Sequence, residues 1–138
     1  MSADFLDTNV FVYLFDEIDH RKRAIAENIV RSALDTSSAE ISYQVIQETL
    51  NVLTGKLQAP ASDADRFMND ILLPLWHVLP SQRLYRRGIE LHAHFHYSFY
   101  DSLIIAAAIE AGCAQLLSED LQHGQKVEGV TILNPFLP

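Results

Sequence analysis

Residues 4–15 read DFLDTNVFVYLF, and the fold turns on how this stretch is read. Asp4-Phe5-Leu6 is a short apolar strand that stops at Asp7. Asn9 to Phe15 is apolar nearly all round, as a short helix covered on two sides would be. Outward from there the pattern repeats. Arg21 to Leu34 keeps helical spacing through Ile25, Ile29, Val30 and Ala33, and Ala39 to Ser42 is a second strand. Val45 to Leu53 carries one broad apolar stripe, with Gly55 at its C-cap. Ser62 caps a helix through Phe67 and Ile71, and Trp76 to Leu79 is a third strand stopped by Pro80. Ser81 starts a helix through Leu84, Ile89 and Leu91, and Ser98 caps a strongly apolar one that ends at Gly112. Gln115 to Ser118 and Val130 to Leu133 are the fourth and fifth strands. Strands alternating with helices predict an α/β fold, a parallel sheet with helices on both faces and right-handed crossovers.

Length and composition agree. A chain of 138 residues fits a single domain, residues 1–138, and a 49% hydrophobic, 20% charged composition supports a core without staples. The one cysteine, Cys113, excludes an intramolecular disulfide and suits a reducing compartment. Met1-Ser2-Ala3-Asp4 offers no basic signal region, and the longest apolar run, Leu103 to Ile109, is too short to span a bilayer. The expectation is a cytoplasmic protein with no membrane contact. The net charge of −8 argues against broad, non-specific nucleic-acid affinity, which rests on Lys and Arg. It leaves room for an acidic metal site, since a bound cation inverts the local field.

Four acids fall at informative places. Asp7 and Asp120 each follow an apolar strand, and Glu48 and Asp101 sit in the first turns of helices. In a parallel sheet, strand C-termini and helix N-termini share one edge, where ligands bind. Each acid also has a plain structural explanation. Asp7 suits a turn or a helix cap, Ser98 to Asp101 is an S-x-x-D capping pattern, and Asp120 suits a loop. Glu48 lies at the border of its apolar stripe beside Val52, not on the polar face with Gln44, Gln47 and Asn51. Their joint placement on one edge carries the functional reading. Packed carboxylates repel and take up protons unless a cation compensates. Hard oxygen ligands suit Mg²⁺ or Mn²⁺, and such an ion can activate water against a phosphodiester.

At these residues the sequence resembles the PIN-domain nucleases, particularly the VapC-type toxins of toxin–antitoxin modules. Four stretches carry the likeness: residues 5–10 (FLDTNV), 42–48 with 51–53 (SYQVIQE, NVL), 99–104 with 106–108 (FYDSLI, AAA), and 116–124 (LLSEDLQHG). The resemblance implies a three-layer α/β/α sandwich with a central, mostly parallel sheet of about five strands. It implies a Mg²⁺-dependent endoribonuclease with Asp7, Glu48, Asp101 and Asp120 as metal ligands. Thr8, Asn9 and Ser118 match the small polar residues that orient those ligands. It also implies a homodimer, an RNA substrate and a cognate antitoxin. Where many relatives have Thr-Asn-Asp, this chain has Ser118-Glu119-Asp120, which leaves open whether Glu119 adds a ligand.

Other features are weaker. His92, His94 and His96 lack an HExxH context and read as structural or surface residues, while His123 is a candidate RNA contact. Arg21-Lys22-Arg23 and the set Arg83, Arg86, Arg87 read as solvated faces unless they border the acids, where they would position phosphates. A receiver-type signalling domain also gathers acids and Mg²⁺, but it wants a Lys on a late strand, and Gln115 to Ser118 has none. A catalytically silent binding module is the remaining alternative. Val10 to Phe15 offer more apolar surface than one sheet face buries, which predicts contact with a partner segment.

Overall fold

The computed structural model describes residues 3–138; Met1 and Ser2, on which the reading of the N-terminus partly fell, lie outside it. The strands are β1 (Asp4–Leu6), β2 (Ala39–Ser42), β3 (Trp76–Val78), β4 (Gln115–Leu117), β5 (Lys126–Val127) and β6 (Val130–Leu133). The helices are α1 (Thr8–Val12), α2 (His20–Thr36), α3 (Tyr43–Thr54), α4 (Ala61–Phe67), α5 (Gln82–Phe95) and α6 (Phe99–Glu110). The strands form one sheet in the order β3-β2-β1-β4-β6-β5, parallel throughout except for the β5–β6 pair. The sixth strand, absent from the sequence reading, is a two-residue edge piece. Glu128 (φ 49°) and Gly129 (φ 90°) make the tight turn that folds it back on β6.

The order determines where a ligand can enter. From β1 the chain steps to β2 and then β3 in one direction, and then returns past β1 to β4. Right-handed crossovers put the helices of the outward steps on one face and α5 and α6 on the other, giving three layers. The strand order reverses between β1 and β4, and a crevice opens there beyond their C-terminal ends. Asp7 continues β1 past Leu6, and its amide N–H donates to the carbonyl of Leu117, the last residue of β4, at 3.0 Å.

The core explains why these elements form. Phe5, Leu116 and Ile132 on the inner strands are wholly buried, each contributing about 1.5–3 kcal/mol. Residues 102–108 of α6 are all buried, because the helix is sandwiched between the sheet and α5. That is why its sequence shows no polar face. Gly88 of α5 allows the close crossing: a Cβ there would stand 2.7 Å from Leu103 Cδ2.

Several expected boundaries shift. The helix expected over residues 9–15 is α1 plus a 3₁₀ turn, Tyr13–Phe15. Val10 and Phe11 are fully buried in the core, so only the segment from Val12 onward remains for a partner. Ser62 does not cap α4; the N-cap is Pro60, and the helix passes through a π turn, Met68–Leu72, into a 3₁₀ turn containing Pro74. Pro74 lacks an amide to continue the α ladder. Among the described residues no helix is long and apolar enough to cross a membrane.

Candidate active site

Asp7 is the N-cap of α1: its Oδ1 accepts from the Thr8 amide at 2.7 Å. Its Oδ2 accepts from the Ser118 hydroxyl, just past β4, at 2.7 Å. The plain reading of Asp7 as a cap therefore holds, and it does not exclude the other. Asp7 is only 5% exposed, and burial lifts its carboxyl from the ordinary 3.8 to about 7. The two hydrogen bonds pull it down, while the charges of Glu48 and Asp120 push it up. A buried carboxyl in that position takes up either a proton or a cation.

The other acids arrive from separate elements. Glu48, in the second turn of α3, is exposed, and its Oε1 accepts from the Thr8 hydroxyl at 2.8 Å. Asp120 is exposed, and its Oδ2 accepts from Asn9 Nδ2 at 3.2 Å. Asn9 Nδ2 also reaches Ser118 Oγ at 3.4 Å, and Ser118 Oγ accepts from the Asp120 amide at 3.2 Å. Asp101 stands in the first turn of α6, where its amide donates to Ser98 Oγ at 3.1 Å, as the capping pattern required. Its carboxyl is pushed up first by burial and further by the charge of Asp120, against a hydrogen bond with Ser98. Thus Asp7 senses Glu48 and Asp120, and Asp101 senses Asp120. All four acids lie on the C-terminal edge of the sheet at the β1/β4 reversal.

Among the described residues no three His, Cys, Asp or Glu groups are close enough to hold an ion between them. Glu48 is held by the Thr8 hydroxyl and Asp120 by the Asn9 amide. The donor set still fits a hard cation. It is all oxygen, one member is buried with a raised pKa, and Mg²⁺ keeps several waters while taking one or two carboxylates.

Other candidates separate clearly. Glu119 is turned out of the site toward Lys22 and Tyr13. His123 is occupied: its Nδ1 accepts from the Asn134 amide at 2.9 Å. His92 Nδ1 meets the Tyr97 carbonyl, and His96 sits in the left-handed C-cap of α5 (φ 65°), so both serve the α5–α6 turn. Arg83, Arg86 and Arg87 border a cavity with Ile109, near the C-terminus of α6. That end lies about 12 Å of helix rise from Asp101, so the cluster belongs to the opposite edge. Lys22, by contrast, borders the acids through Glu119, a residue 97 positions away, and no local sequence signal could have announced that pair.

A groove of about 1030 Å³ begins at Val12, the end of α1 away from Asp7; Val12, Leu14, Phe15, Leu57, Phe67 and Ile71 line it together with charged residues such as Asp16, Glu17, Arg23, Lys56 and Asp70.

The family model described as PIN domain matches residues 5–127. No curated protein matches the sequence significantly. Solved structures of low identity share the architecture, among them the following three. A toxin–antitoxin complex from Klebsiella pneumoniae has a TM-score of 0.70 at 21% identity, over 97% of this chain and 98% of that one. VapC20 of Mycobacterium tuberculosis, described as a sarcin-ricin loop cleaving toxin, has a TM-score of 0.65 at 21% identity, over 83% and 87%. VapBC2 of Rickettsia felis, bound to a DNA fragment from its promoter, has a TM-score of 0.63 at 17% identity, over 94% and 96%.

Proposed function

This chain belongs to the PIN-domain family, and on that premise we propose that its acidic edge is the active site of a divalent-metal-dependent endoribonuclease, the toxin of a type II toxin–antitoxin pair. Asp7 carries the reading. It is a buried acid at the sheet's switch point, with its carboxyl raised to about 7 and two further acids pressing on it from other elements. A merely structural cap gains nothing from that crowding. The family match also displaces the receiver-type alternative. The similar structures described above as a sarcin-ricin loop cleaving toxin and a toxin–antitoxin complex support the substrate and partner classes.

In this reading Asp7, Glu48, Asp101 and Asp120 hold Mg²⁺, or Mn²⁺ in its place. When bound, the ion supplies charge against the phosphodiester and makes water acidic enough to attack at neutral pH. The chain supplies orientation. The Thr8 amide and Ser118 hydroxyl fix the two oxygens of Asp7, so the carboxylate is held in one orientation. The Thr8 hydroxyl aims Glu48, and the Asn9 amide aims Asp120. Ser118 ties the β1 and β4 sides together, accepting from Asp120 while donating to Asp7.

The groove past Val12 fits the antitoxin expected of such a toxin: apolar side chains line it with charged ones among them, and an amphipathic helix docks in that way. Residues 1–138 form one nuclease domain in this account, working as a homodimer in the cytoplasm. The test is purified protein on total cellular RNA. Cleavage is expected in Mg²⁺, loss in excess EDTA, and recovery when Mg²⁺ or Mn²⁺ is restored. Full activity in excess EDTA refutes the metal mechanism.

A further inference from the structure

Glu119 stands between Ser118 and Asp120, yet its side chain leaves the acidic edge. One oxygen accepts from the Tyr13 hydroxyl, and Oε2 accepts from Lys22 Nζ at 2.6 Å. Lys22 Nζ also donates to the Tyr13 hydroxyl oxygen at 3.2 Å and lies 5.1 Å from the centre of that ring. Three polar groups thus close on one another. The Lys22 and Glu119 side chains are 28% and 25% exposed, which sets them apart from a fully solvated pair. The Tyr13 ring packs against Phe136 with centroids 4.7 Å apart, so the hydroxyl is not free to swing away.

Two connections run from this cluster to the acids. The Glu119 amide donates to Asn9 Oδ1 at 3.3 Å, and the same Asn9 side chain donates to Asp120. Tyr13 is the C-cap of α1, whose N-cap is Asp7. A helix of five residues has no stability of its own, so its direction depends on what holds its two ends. Asn9 holds one end against residues 118–120, and Tyr13 holds the other.

We propose that Tyr13, Lys22 and Glu119 form a brace that sets the spacing between Asp7 and Asp120, and that this brace withholds Glu119 from the metal. All three are positioning residues for the reaction proposed above, and the inference rests on that reading. Lys22 also cancels the charge of Glu119, so the edge presents four carboxylates and not five to an incoming phosphate. Within the basic run at residues 21–23, Lys22 therefore acts on the site through a carboxylate, while Arg21 donates to the Phe136 carbonyl and Arg23 pairs with Glu27.

The test titrates Mn²⁺ alone into the full chain and measures kcat and KM for RNA cleavage on the same samples. The variants are Glu119→Gln, Lys22→Met, their double, Lys22→Arg and Asp120→Asn. Glu119→Gln is expected to weaken Mn²⁺ binding far less than Asp120→Asn, which loses at least about tenfold. Glu119→Gln and Lys22→Met each lower kcat by roughly tenfold to a hundredfold with KM little changed. The double variant is no worse than either single, because both remove one interaction. Lys22→Arg recovers most of kcat, since its charge and donors remain. If Glu119→Gln loses Mn²⁺ affinity as Asp120→Asn does, Glu119 is a ligand and the inference fails. Unchanged kcat in both singles, or losses that multiply in the double, also overturn it. Should Lys22→Met fail to fold, the near-isosteric Glu119→Gln decides alone by the same two readouts. A wild type that neither binds Mn²⁺ nor cleaves RNA overturns the proposed function and the inference with it.

Discussion

Replacing Asp7 with Asn is expected to stabilise the protein in excess EDTA, increasingly so as pH rises. Burial, and then the charges of Glu48 and Asp120, hold the folded-state carboxyl at about 7 against its ordinary 3.8. The folded chain therefore binds this proton more tightly than the unfolded chain. Stability is greatest below pH 3.8 and is lost as pH rises through about 7. At pH 8 the full penalty is present, and the gap between 3.8 and about 7 corresponds to about 4 kcal/mol. Asn removes the charge and keeps the shape. Its Oδ1 can still accept from the Thr8 amide, and Asn is a good N-cap. Its amide nitrogen must then face Ser118 Oγ, which already accepts from Asn9 and from the Asp120 amide. The Ser118 hydroxyl also loses its acceptor, and a displaced hydrogen bond in a buried site costs about 1–3 kcal/mol. The balance favours Asn by about 1–3 kcal/mol at pH 8 and by nothing near pH 5. Thermal melting from pH 5 to 8 in EDTA reads this as a Tm rise of a few to about 10 °C at the alkaline end only. If Asp7→Asn melts below wild type at pH 8, by a margin that does not change with pH, the crowding argument is wrong.

Asp101→Asn should melt at or above the wild-type temperature in EDTA and gain less from added Mg²⁺; a variant that is less stable and gains as much leaves Asp101 a helix cap only. Arg83→Glu with Arg86→Glu should leave the salt dependence of RNA cleavage unaltered, because both residues lie at the edge opposite the acids; a flatter salt slope would place RNA there. Binding of the antitoxin should slow hydrogen exchange in residues 12–18, which border the groove, and unchanged exchange there refutes the docking site.

The fold class and the edge on which the four acids fall could be read from the sequence, and the strand order could not, for a physical reason. An acid after an apolar strand and an acid in the first turn of a helix must share an edge if the sheet is parallel, so the common edge of Asp7, Glu48, Asp101 and Asp120 was legible without knowing the strand order. The order itself was not, since no periodicity tells whether β4 pairs with β1 or with β3. Lys126–Val127 is too short to show any alternation, so β5 went unread. Val10 and Phe11 looked like surplus apolar surface because the cover over α1 comes from segments distant in sequence, as its packing against α3 shows. Lys22 read as part of a solvated basic run, because its partner Glu119 is fixed only by the fold. Asp101 illustrates the opposite case. Its capping role was visible locally, and that role neither requires nor forbids a place among the acids.

The central claim is that four carboxylates from four elements act as one site. The most direct test compares RNA cleavage by Asp7→Asn, Glu48→Gln, Asp101→Asn and Asp120→Asn in Mg²⁺, each shown to be folded by circular dichroism. The account predicts that each loses cleavage, because each removes one charge from the same ion's surroundings. Wild-type cleavage by folded Asp7→Asn or Asp101→Asn would contradict it.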